Sequence, residues 1–417
     1  MSAAESTPAD ALQTLARELG QGLESLRHPS VSIDGIAVSF TLRPRDGEAL
    51  ARTLRALGEH GLAAVPVGGG RHLELGNAPR RVDALLCTSH LGGVDFEAAE
   101  GVCHAGAGIR LGALRARVGE AGWEVPLDAP DDASVGGAIA AAAIGPRSQG
   151  FGAPRDVVLG LEVVLGSGER TRCGGRVVKN VTGYDLPKLY TGACGTLGVI
   201  EGAWLRLRPR PARTRVLSLP ARPATDALAR GIGAARLCSA RACALQGRAG
   251  DALHGVVELA GADESVERDA QWLTREHGAL EADAVLVDRV RAEQHATPAP
   301  HGLRFRIPAL PTQLPGVLAA LDPGAEVIVY PGLRLCYAAF ALASADDAPG
   351  AERGFASAAG AASAALGTFR CESAPPAAKR GRDVFGPIGG EAALVRALKS
   401  RFDPHGVLSP GRFAGGA

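Results

Sequence analysis

The sequence predicts an α+β protein with two successive domains. Short apolar strands alternate with helices and glycine turns as far as Pro209-Arg-Pro211, where the pattern breaks. Beyond Pro211 the chain shifts to Ala- and Arg-rich segments with mixed helix and strand patterns. A chain of 417 residues, 46% of them hydrophobic, can bury two or three cores. We therefore expect a leader over residues 1–34, a first domain over 35–211 and a second over 212–417.

Composition excludes several classes of protein. The 45 basic and 44 acidic residues nearly cancel, which argues against a nucleic-acid-binding face. The N-terminus MSAAESTPAD lacks both the basic residues and the apolar stretch of a secretory signal. The longest run of small apolar residues, 136–145, falls far short of the ~20 residues of a membrane helix. We expect a cytoplasmic chain without a transmembrane segment, so that any membrane association would come through partners.

Cysteine spacing gives no sign of a metal or iron–sulfur site. None of the eight cysteines forms a C-x-x-C pair, so no local ligand cluster exists. Most are expected to be small buried residues. We predict no metal in this chain.

The leader has a helical pattern. Thr7-Pro8 is typical of a helix start, and Leu12, Leu15, Leu19 and Leu23 recur at helical spacing. This apolar stripe either docks on the body of the protein or belongs to a loosely packed leader.

A βαβ-like unit comes next. The alternation over 36–40 predicts a strand, 45–58 a helix and 62–67 a second strand that runs into Gly68-Gly-Gly70. The later glycines Gly106 and Gly108 resemble the start of a dinucleotide fingerprint, but the third comes one position late and no convincing acidic residue follows. We interpret this second segment as an ordinary strand-to-helix turn.

The rest of the chain is assigned by the same patterns. Short apolar strands are predicted over 157–165, 197–200 and 203–207, with a hairpin turn at Gly166-Ser-Gly168. In the second domain, helices are predicted over 263–277, 351–366 and 391–402, and strands over 285–287 and 327–330.

Three segments carry candidate chemistry. In the first, the glycines after a buried strand allow backbone N–H groups to converge on a pyrophosphate, although a simple glycine turn is equally possible. In the second, Ser134 can cap a helix that begins Val-Gly-Gly and exposes free N–H groups, with alanines forming a flat surface for a planar ligand; close helix–sheet packing is the alternative. The third is 179–186 followed by 192–200, where the strand beginning at Val199 could bind an adenine edge.

The order of these motifs resembles a known family. A Gly-Gly-Gly turn, Ser134-Val-Gly-Gly, Thr-Gly-Tyr-Asp-Leu186, Gly195-Thr-Leu-Gly-Val-Ile and the terminal Phe402-Asp-Pro-His-Gly-Val-Leu-Ser-Pro-Gly-Arg412 are similar to FAD-linked oxidases of the vanillyl-alcohol-oxidase, or p-cresol methylhydroxylase (PCMH), type. Within that type, the sequence resembles the FAD-binding (E) subunits of bacterial glycolate oxidases.

The resemblance implies a two-lobed PCMH-type FAD-binding domain followed by a smaller α+β cap domain. It implies that the phosphates are bound by Gly68, Gly69, Gly70, Arg71 and His72. It implies a flavin and ribityl side lined by Pro130, Ser134, Val135, Gly136, Gly137 and Ala140. It implies an adenine end at Gly198, Val199 and Ile200.

Two histidine features qualify the resemblance. Some relatives attach FAD through a histidine near the glycine turn, but subunits of this type resemble non-covalent binders, so we expect His72 to face a phosphate or solvent. The histidine-rich metal and substrate motif of hydroxy-acid-oxidising relatives is missing, and His295 and His301 lie in what we interpret as a Pro-rich loop. No general base can be named, so the catalytic residues are unknown. Arg412 either lies near the flavin or is a surface arginine.

The function that the resemblance implies is oxidation of glycolate to glyoxylate. This chain would be an oxidoreductase subunit that holds FAD and relays electrons, in a complex with a catalytic flavin subunit and an iron–sulfur subunit. One alternative is a self-sufficient FAD-dependent 2-hydroxy-acid oxidoreductase. Another is a structural subunit that has lost FAD.

Overall fold

A computed structural model describes residues 7–176, 184–296, 301–387 and 389–417. In the first half of the chain the elements are α1 (Pro8–Leu19), β1 (Leu23–Ile33), β2 (Ile36–Pro44), α2 (Gly47–Glu59), β3 (Ala64–Val67), β4 (Ala84–Cys87), β5 (Val94–Glu97), β6 (Val102–Gly106), α3 (Leu111–Gly119), β7 (Trp123–Glu124), α4 (Val135–Ala140), α5 (Ser148–Phe151), α6 (Pro154–Val157), β8 (Val158–Val164), β9 (Arg170–Gly174), α7 (Pro187–Tyr190), β10 (Val199–Arg206) and β11 (Arg208–Pro209).

In the second half they are β12 (Arg213–Pro223), α8 (Ala224–Ala235), β13 (Ala240–Arg248), β14 (Ala252–Gly261), α9 (Asp263–His277), β15 (Leu280–Glu281), α10 (Val285–His295), β16 (Gly302–Pro308), α11 (Leu314–Ala320), β17 (Glu326–Tyr330), β18 (Leu335–Ala341), α12 (Ala348–Ala364), β19 (Arg370–Ser373), α13 (Pro376–Lys379) and α14 (Glu391–Phe402). This mixture of helices and sheets confirms the predicted α+β class.

The N-terminal sheet has the order β1-β2-β4-β3, and β4 lies parallel to both β2 and β3. Helix α2 connects β2 to β3, as the βαβ-like pattern predicts. Leu12 and Leu15 of α1 are buried with Leu50 and Leu54 of α2, so the leader helix docks on the body and a loose leader is the wrong interpretation. The helical spacing also misassigns Leu23, which begins β1.

The second sheet is five-stranded and antiparallel, with the order β5-β6-β10-β8-β9. The hairpin between β8 and β9 turns at the predicted site, where Gly168 has a φ of +80°. The turn from β6 to α3 is an ordinary one, as predicted. A Cβ on Gly108 would lie 1.9 Å from the carbonyl oxygen of Thr88, so this glycine serves close backbone packing.

An eight-stranded sheet occupies the second half of the chain, with the order β15-β12-β14-β13-β17-β18-β16-β19. Helices α8, α9, α11 and α12 bury one face in the largest core. Helix α10 packs on the other face through Val287 and Val290, together with Ile144 from the first half. The prediction of a strand over 285–287 was therefore wrong, whereas the other second-half helices and the strand over 327–330 are confirmed.

The C-terminal segment returns to the N-terminal sheet. Leu408 forms a parallel bridge with Ala64 and is fully buried beside it. Lys399 of α14 donates to the carbonyl oxygens of Thr196, at 2.8 Å, and Leu408, at 2.6 Å. This return places residues 407–412 next to the glycine turn after β3.

Cysteines and helix lengths agree with the composition. Within the described part of the chain all cysteines are free thiols, and Cys103, Cys173, Cys243, Cys336 and Cys371 are buried. Cys238 is exposed. None of the helices described here has the length and apolar character needed to cross a lipid bilayer.

Candidate functional site

The glycine turn after β3 is shaped by close packing against the loop that precedes α4. A Cβ on Gly68 would lie 1.9 Å from Oγ of Ser134, and one on Gly69 would lie 2.5 Å from the carbonyl oxygen of Asp132. Gly70 has a φ of +78°, which favours glycine. Each of the three positions thus has its own reason to be glycine.

Backbone donors of this turn point to an anion site. The N–H of Gly69 donates to Oγ of Ser134 at 3.2 Å. The N–H groups of Gly70, Arg71 and His72 have no acceptor among the described residues. Successive free N–H groups form a concave nest that suits a phosphate group.

Helix α4 differs from its expected role. Ser134 caps it as predicted, accepting from the N–H of Gly137 at 3.1 Å. However, the N–H of Val135 donates to the carbonyl oxygen of Ile109, and that of Gly136 donates to Ala107. The expectation of free N–H groups at this helix start was wrong, because tertiary acceptors already satisfy them. A Cβ on Gly136 would lie 2.7 Å from that of Ala107, so close packing explains this glycine.

Most of the predicted binding residues line one open cleft, here called the glycine cleft. Those that do so are Gly68, Gly69, Gly70, Arg71, His72, Ser134, Gly136, Gly137, Ala140, Gly198, Val199 and Ile200. Pro130 and Val135 are not part of its lining, and Val135 is fully buried in the core. The structure therefore brings three distant sequence segments together around a single cleft.

The start of β10 offers an open backbone edge to this cleft. Val199 and Ile200 pair with Val164 and Val163 of β8 on one side. On the other side, β6 begins to pair with β10 only at Gly202. The unpaired edge beside Val199 is suited to hydrogen bonding with a planar heterocycle.

Arg412 completes the wall of the cleft from the C-terminal segment. It is 2% exposed, so the alternative of a surface arginine was wrong. Its guanidinium contacts Asp34 at 2.6 Å, and Lys379 contacts the same carboxylate at 2.6 Å. Its Nε has no partner. Two buried cations thus share one carboxylate, which leaves a local excess of positive charge beside the cleft.

Arg71 is paired rather than free. Its guanidinium binds the carboxylate of Asp132, with Nε 2.8 Å from Oδ1. This hydrogen bond raises the pKa of Arg71 and lowers that of Asp132. The pair spans the glycine turn and the loop before α4 at the mouth of the cleft.

A second cavity adjoins the glycine cleft and shares Gly70, Arg71, His72 and Leu73 with it. Here called the arginine cavity, it is also lined by Gln294, His295, Arg304, Tyr337, Arg370 and Glu372. It lies on the face of the eight-stranded sheet that packs against α10. Sequence reasoning missed this cavity entirely.

Three guanidinium groups surround one carboxylate in the arginine cavity. Nη2 of Arg370 lies 2.5 Å from Oε1 of Glu372, and Nη1 of Arg306 lies 3.9 Å from it. Burial acts to raise the pKa of Glu372, but Arg370 and Arg306 more than offset it and lower the pKa to about 2. Burial lowers the pKa of Arg304, and Glu372 opposes that change. The carboxylate is ionised, and this wall remains positively charged.

Two histidines meet in the same cavity. His295 ends α10 rather than lying in a Pro-rich loop, and its Nε2 lies 3.2 Å from the carbonyl oxygen of Ile144. His72 packs edge to face against it, with ring centroids 5.8 Å apart. Burial lowers the pKa of each ring to about 4. Both imidazoles are therefore neutral at pH 7, and His72 faces this histidine rather than solvent.

A sequence signal for the arginine cavity existed. Arg304 and Arg306 alternate with Leu303, Phe305 and Ile307 along β16. Arg370 and Glu372 alternate likewise along β19. Charged residues at every second position of a buried strand share one face, and a buried charged face indicates a site.

Two further expectations concern parts or groups that need separate mention. Residues 177–183 of the predicted 179–186 segment lie outside the described residues. Within the described ranges, no cluster of three or more His, Cys, Asp or Glu side chains has the arrangement of a metal site.

Comparisons with known proteins agree with this geometry. Residues 38–174 match the sequence profile of the FAD binding domain. The chain is 38% identical over 181 residues to mitochondrial D-2-hydroxyglutarate dehydrogenase of Bos taurus, which covers 43% of this chain and 33% of that protein. It is 38% identical over 125 residues to glycolate oxidase subunit GlcE of Escherichia coli K12, covering 29% of this chain and 36% of that protein. The chain thus spans about a third of the length of these curated relatives.

The fold extends the similarity over nearly the whole chain. A crystal structure of p-cresol methylhydroxylase with substrate bound superposes with a TM-score of 0.70 at 16% identity, covering 99% of this chain and 97% of that one. The predicted PCMH-type fold is confirmed by this match together with the FAD binding domain.

Proposed function

Because the first half of this chain carries an FAD binding domain in a PCMH-type fold, we propose that it is an FAD-dependent oxidoreductase subunit of a glycolate-oxidising complex. Similarity to a glycolate oxidase subunit and to a 2-hydroxy-acid dehydrogenase supports both the cofactor and the class of substrate. The partners would be a catalytic flavin subunit and an iron–sulfur subunit. This chain has no metal-ligand cluster among its described residues, which suits such a division of labour.

The residues of the glycine cleft fit FAD. The unpartnered N–H groups of Gly70, Arg71 and His72 would hold the pyrophosphate, and the open edge at Val199 would receive the adenine. The partnerless Nε of Arg412 would face the negative charge of the cofactor. When bound, FAD supplies two-electron redox chemistry, while the protein supplies position and electrostatics. We propose that the cofactor is held non-covalently.

A single observation carries the proposal: three distant segments predicted to bind FAD line one cleft. Its test is the absorption spectrum of the purified full-length chain. Flavin bands that acid releases into the supernatant would establish non-covalent FAD. Bands that remain with the precipitated protein would show covalent attachment, and a folded, colourless chain that takes up no added FAD would refute the proposal.

A matched pair of glycine variants sharpens this test. Gly70→Ala and Gly61→Ala both place a side chain at positive φ, +78° and +60°, with no atom within 4 Å of the new Cβ. The two changes therefore impose similar backbone strain. Only Gly70 lines the cleft. We expect Gly70→Ala to weaken FAD binding about tenfold or more and Gly61→Ala to leave it unchanged.

The complex is tested separately, by purifying the chain from its native cells. Co-purification of a second flavoprotein and a cysteine-rich iron–sulfur protein would support the complex. A chain that purifies alone and is reduced by glycolate would instead favour the self-sufficient 2-hydroxy-acid oxidoreductase, which the arginine cavity next to the glycine cleft also supports.

A further inference from the structure

Three buried polar atoms without a hydrogen-bond partner belong to residues of the arginine cavity. They are Nε2 of His72, Nε of Arg370 and the phenol oxygen of Tyr337. Tyr337 is 2% exposed. A buried polar group without a partner costs roughly 1–3 kcal/mol, so such groups are rare unless they serve a ligand. Their meeting in one cavity indicates a binding site.

The charges on the wall define what this site would bind. Arg304, Arg306 and Arg370 face only one carboxylate, that of Glu372, so the wall keeps an excess of positive charge. Arg370 and Tyr337 both present donors, and a guanidinium together with a phenol is a suitable pair for a carboxylate. The cavity therefore favours a small organic anion.

The remaining unpartnered atom has a different character. The imidazole of His72 is neutral at pH 7, and one of its ring nitrogens can accept a hydrogen bond. His72 also lines the glycine cleft, so it stands where the two cavities meet. An acceptor here suits a hydroxyl on the carbon next to the bound carboxylate.

We propose that the arginine cavity binds a small 2-hydroxy carboxylate without a metal ion, with Arg370 and Tyr337 holding the carboxylate and His72 accepting a hydrogen bond from the hydroxyl. The choice of a 2-hydroxy acid rests on the proposed function, whereas the choice of a carboxylate rests on the cavity alone. In the complex proposed above, this chain would then contain a substrate site of its own.

The binding test uses the purified full-length chain and isothermal titration calorimetry with oxalate, which carries a carboxylate and has no alcohol to be oxidised. We expect saturable binding that EDTA does not change. Tyr337→Phe removes only a hydroxyl that has no partner in the protein, so the variant should fold and bind oxalate about tenfold to a hundredfold more weakly. The control is Tyr184→Phe, since Tyr184 is 92% exposed, and it should bind as the native chain does. Equal binding by Tyr337→Phe, or binding that EDTA abolishes, would overturn the proposal.

Two more variants separate the roles of the residues. Arg370→Lys keeps the positive charge beside Glu372 but loses Nε, and should weaken oxalate binding at least tenfold while the circular dichroism spectrum is unchanged. His72→Gln should retain acetate binding but lose the preference of the native chain for glycolate over acetate. A native chain with no such preference, or a His72→Gln chain that keeps it, would refute the role of His72.

Failure of this proposal is distinguishable from failure of the proposed function. A yellow protein with releasable FAD that binds neither oxalate nor glycolate would leave FAD binding intact and remove the carboxylate site. A colourless protein that still binds oxalate would do the reverse.

Discussion

His72 and His295 lie edge to face with ring centroids 5.8 Å apart, although one follows β3 and the other ends α10. The contact joins the first half of the chain to the second at the point where the glycine cleft and the arginine cavity meet. Both rings have lost most of their hydration, and burial sets the pKa of each near 4.

This contact predicts acid sensitivity. Above pH 6.5 the rings are neutral in both the folded and the unfolded chain; between 6.5 and 4 only the unfolded chain gains protons, so stability falls as the pH is lowered. Each histidine should cost about 2 kcal/mol of unfolding free energy at pH 5 relative to pH 7.5. Urea unfolding of His72→Gln should show a smaller loss, and the exposed His254→Gln should behave as the native chain does. An identical loss in His72→Gln and the native chain would contradict the prediction.

Two neighbouring tyrosines predict opposite stability changes. The hydroxyl of Tyr337 has no partner, whereas that of Tyr330 donates to Oε1 of buried Gln294 at 2.6 Å. Tyr337→Phe should leave the unfolding free energy unchanged or raise it by up to about 1 kcal/mol, and Tyr330→Phe should lower it by about 1–2 kcal/mol. Chemical denaturation of both variants checks this difference. A loss in Tyr337→Phe as large as that in Tyr330→Phe would show that the Tyr337 hydroxyl is structural.

The shared carboxylate of Asp34 should be essential for folding. It is paired with both Lys379 and Arg412, and the side chains of all three residues are at most 3% exposed. Asp34→Ala leaves two buried cations without their carboxylate and should cost about 3–5 kcal/mol. Glu48→Ala breaks an exposed pair with Arg52 and should change stability by less than about 0.5 kcal/mol. Equal effects in thermal unfolding would contradict the argument.

Ser134 connects the glycine turn to α4. Its Oγ accepts from the N–H of Gly69 at 3.2 Å and from that of Gly137 at 3.1 Å. Ser134→Ala should cost about 1–2 kcal/mol of stability and weaken FAD binding about tenfold, because the turn loses its attachment. The exposed Ser25→Ala is the control. Fluorescence titration of the FAD-free protein measures the affinity, and native affinity in Ser134→Ala would oppose a positioning role.

Local patterns predicted the parts of the fold that local chemistry determines. The glycine turn after β3, the Ser134 cap and the hairpin at Gly168 follow from backbone geometry and capping. The strand predicted over 285–287 fails because a short apolar run with β-branched residues does not distinguish a strand from a helix. In α10, Val287 and Val290 are buried three residues apart, which is helical spacing.

The arginine cavity lay beyond such reasoning for a topological reason. Its residues come from the glycine turn, α10, β16, β18 and β19, and only the order of the eight-stranded sheet brings them together. The free N–H groups expected at α4 failed for a similar reason: their acceptors, Ala107 and Ile109, are nearly 30 residues earlier in the chain.

The return of the C-terminal segment constrains the timing of cofactor loading in the cell. Leu408 borders β3 and Arg412 closes the wall of the glycine cleft, although the turn they support lies near residue 70. On the ribosome the N-terminal sheet can begin to form early, but its cleft is incomplete until residue 412 has left the exit tunnel. Insertion of FAD into the finished cleft is therefore a post-translational event, and a ribosome stalled before that residue would carry a chain with an open cofactor site.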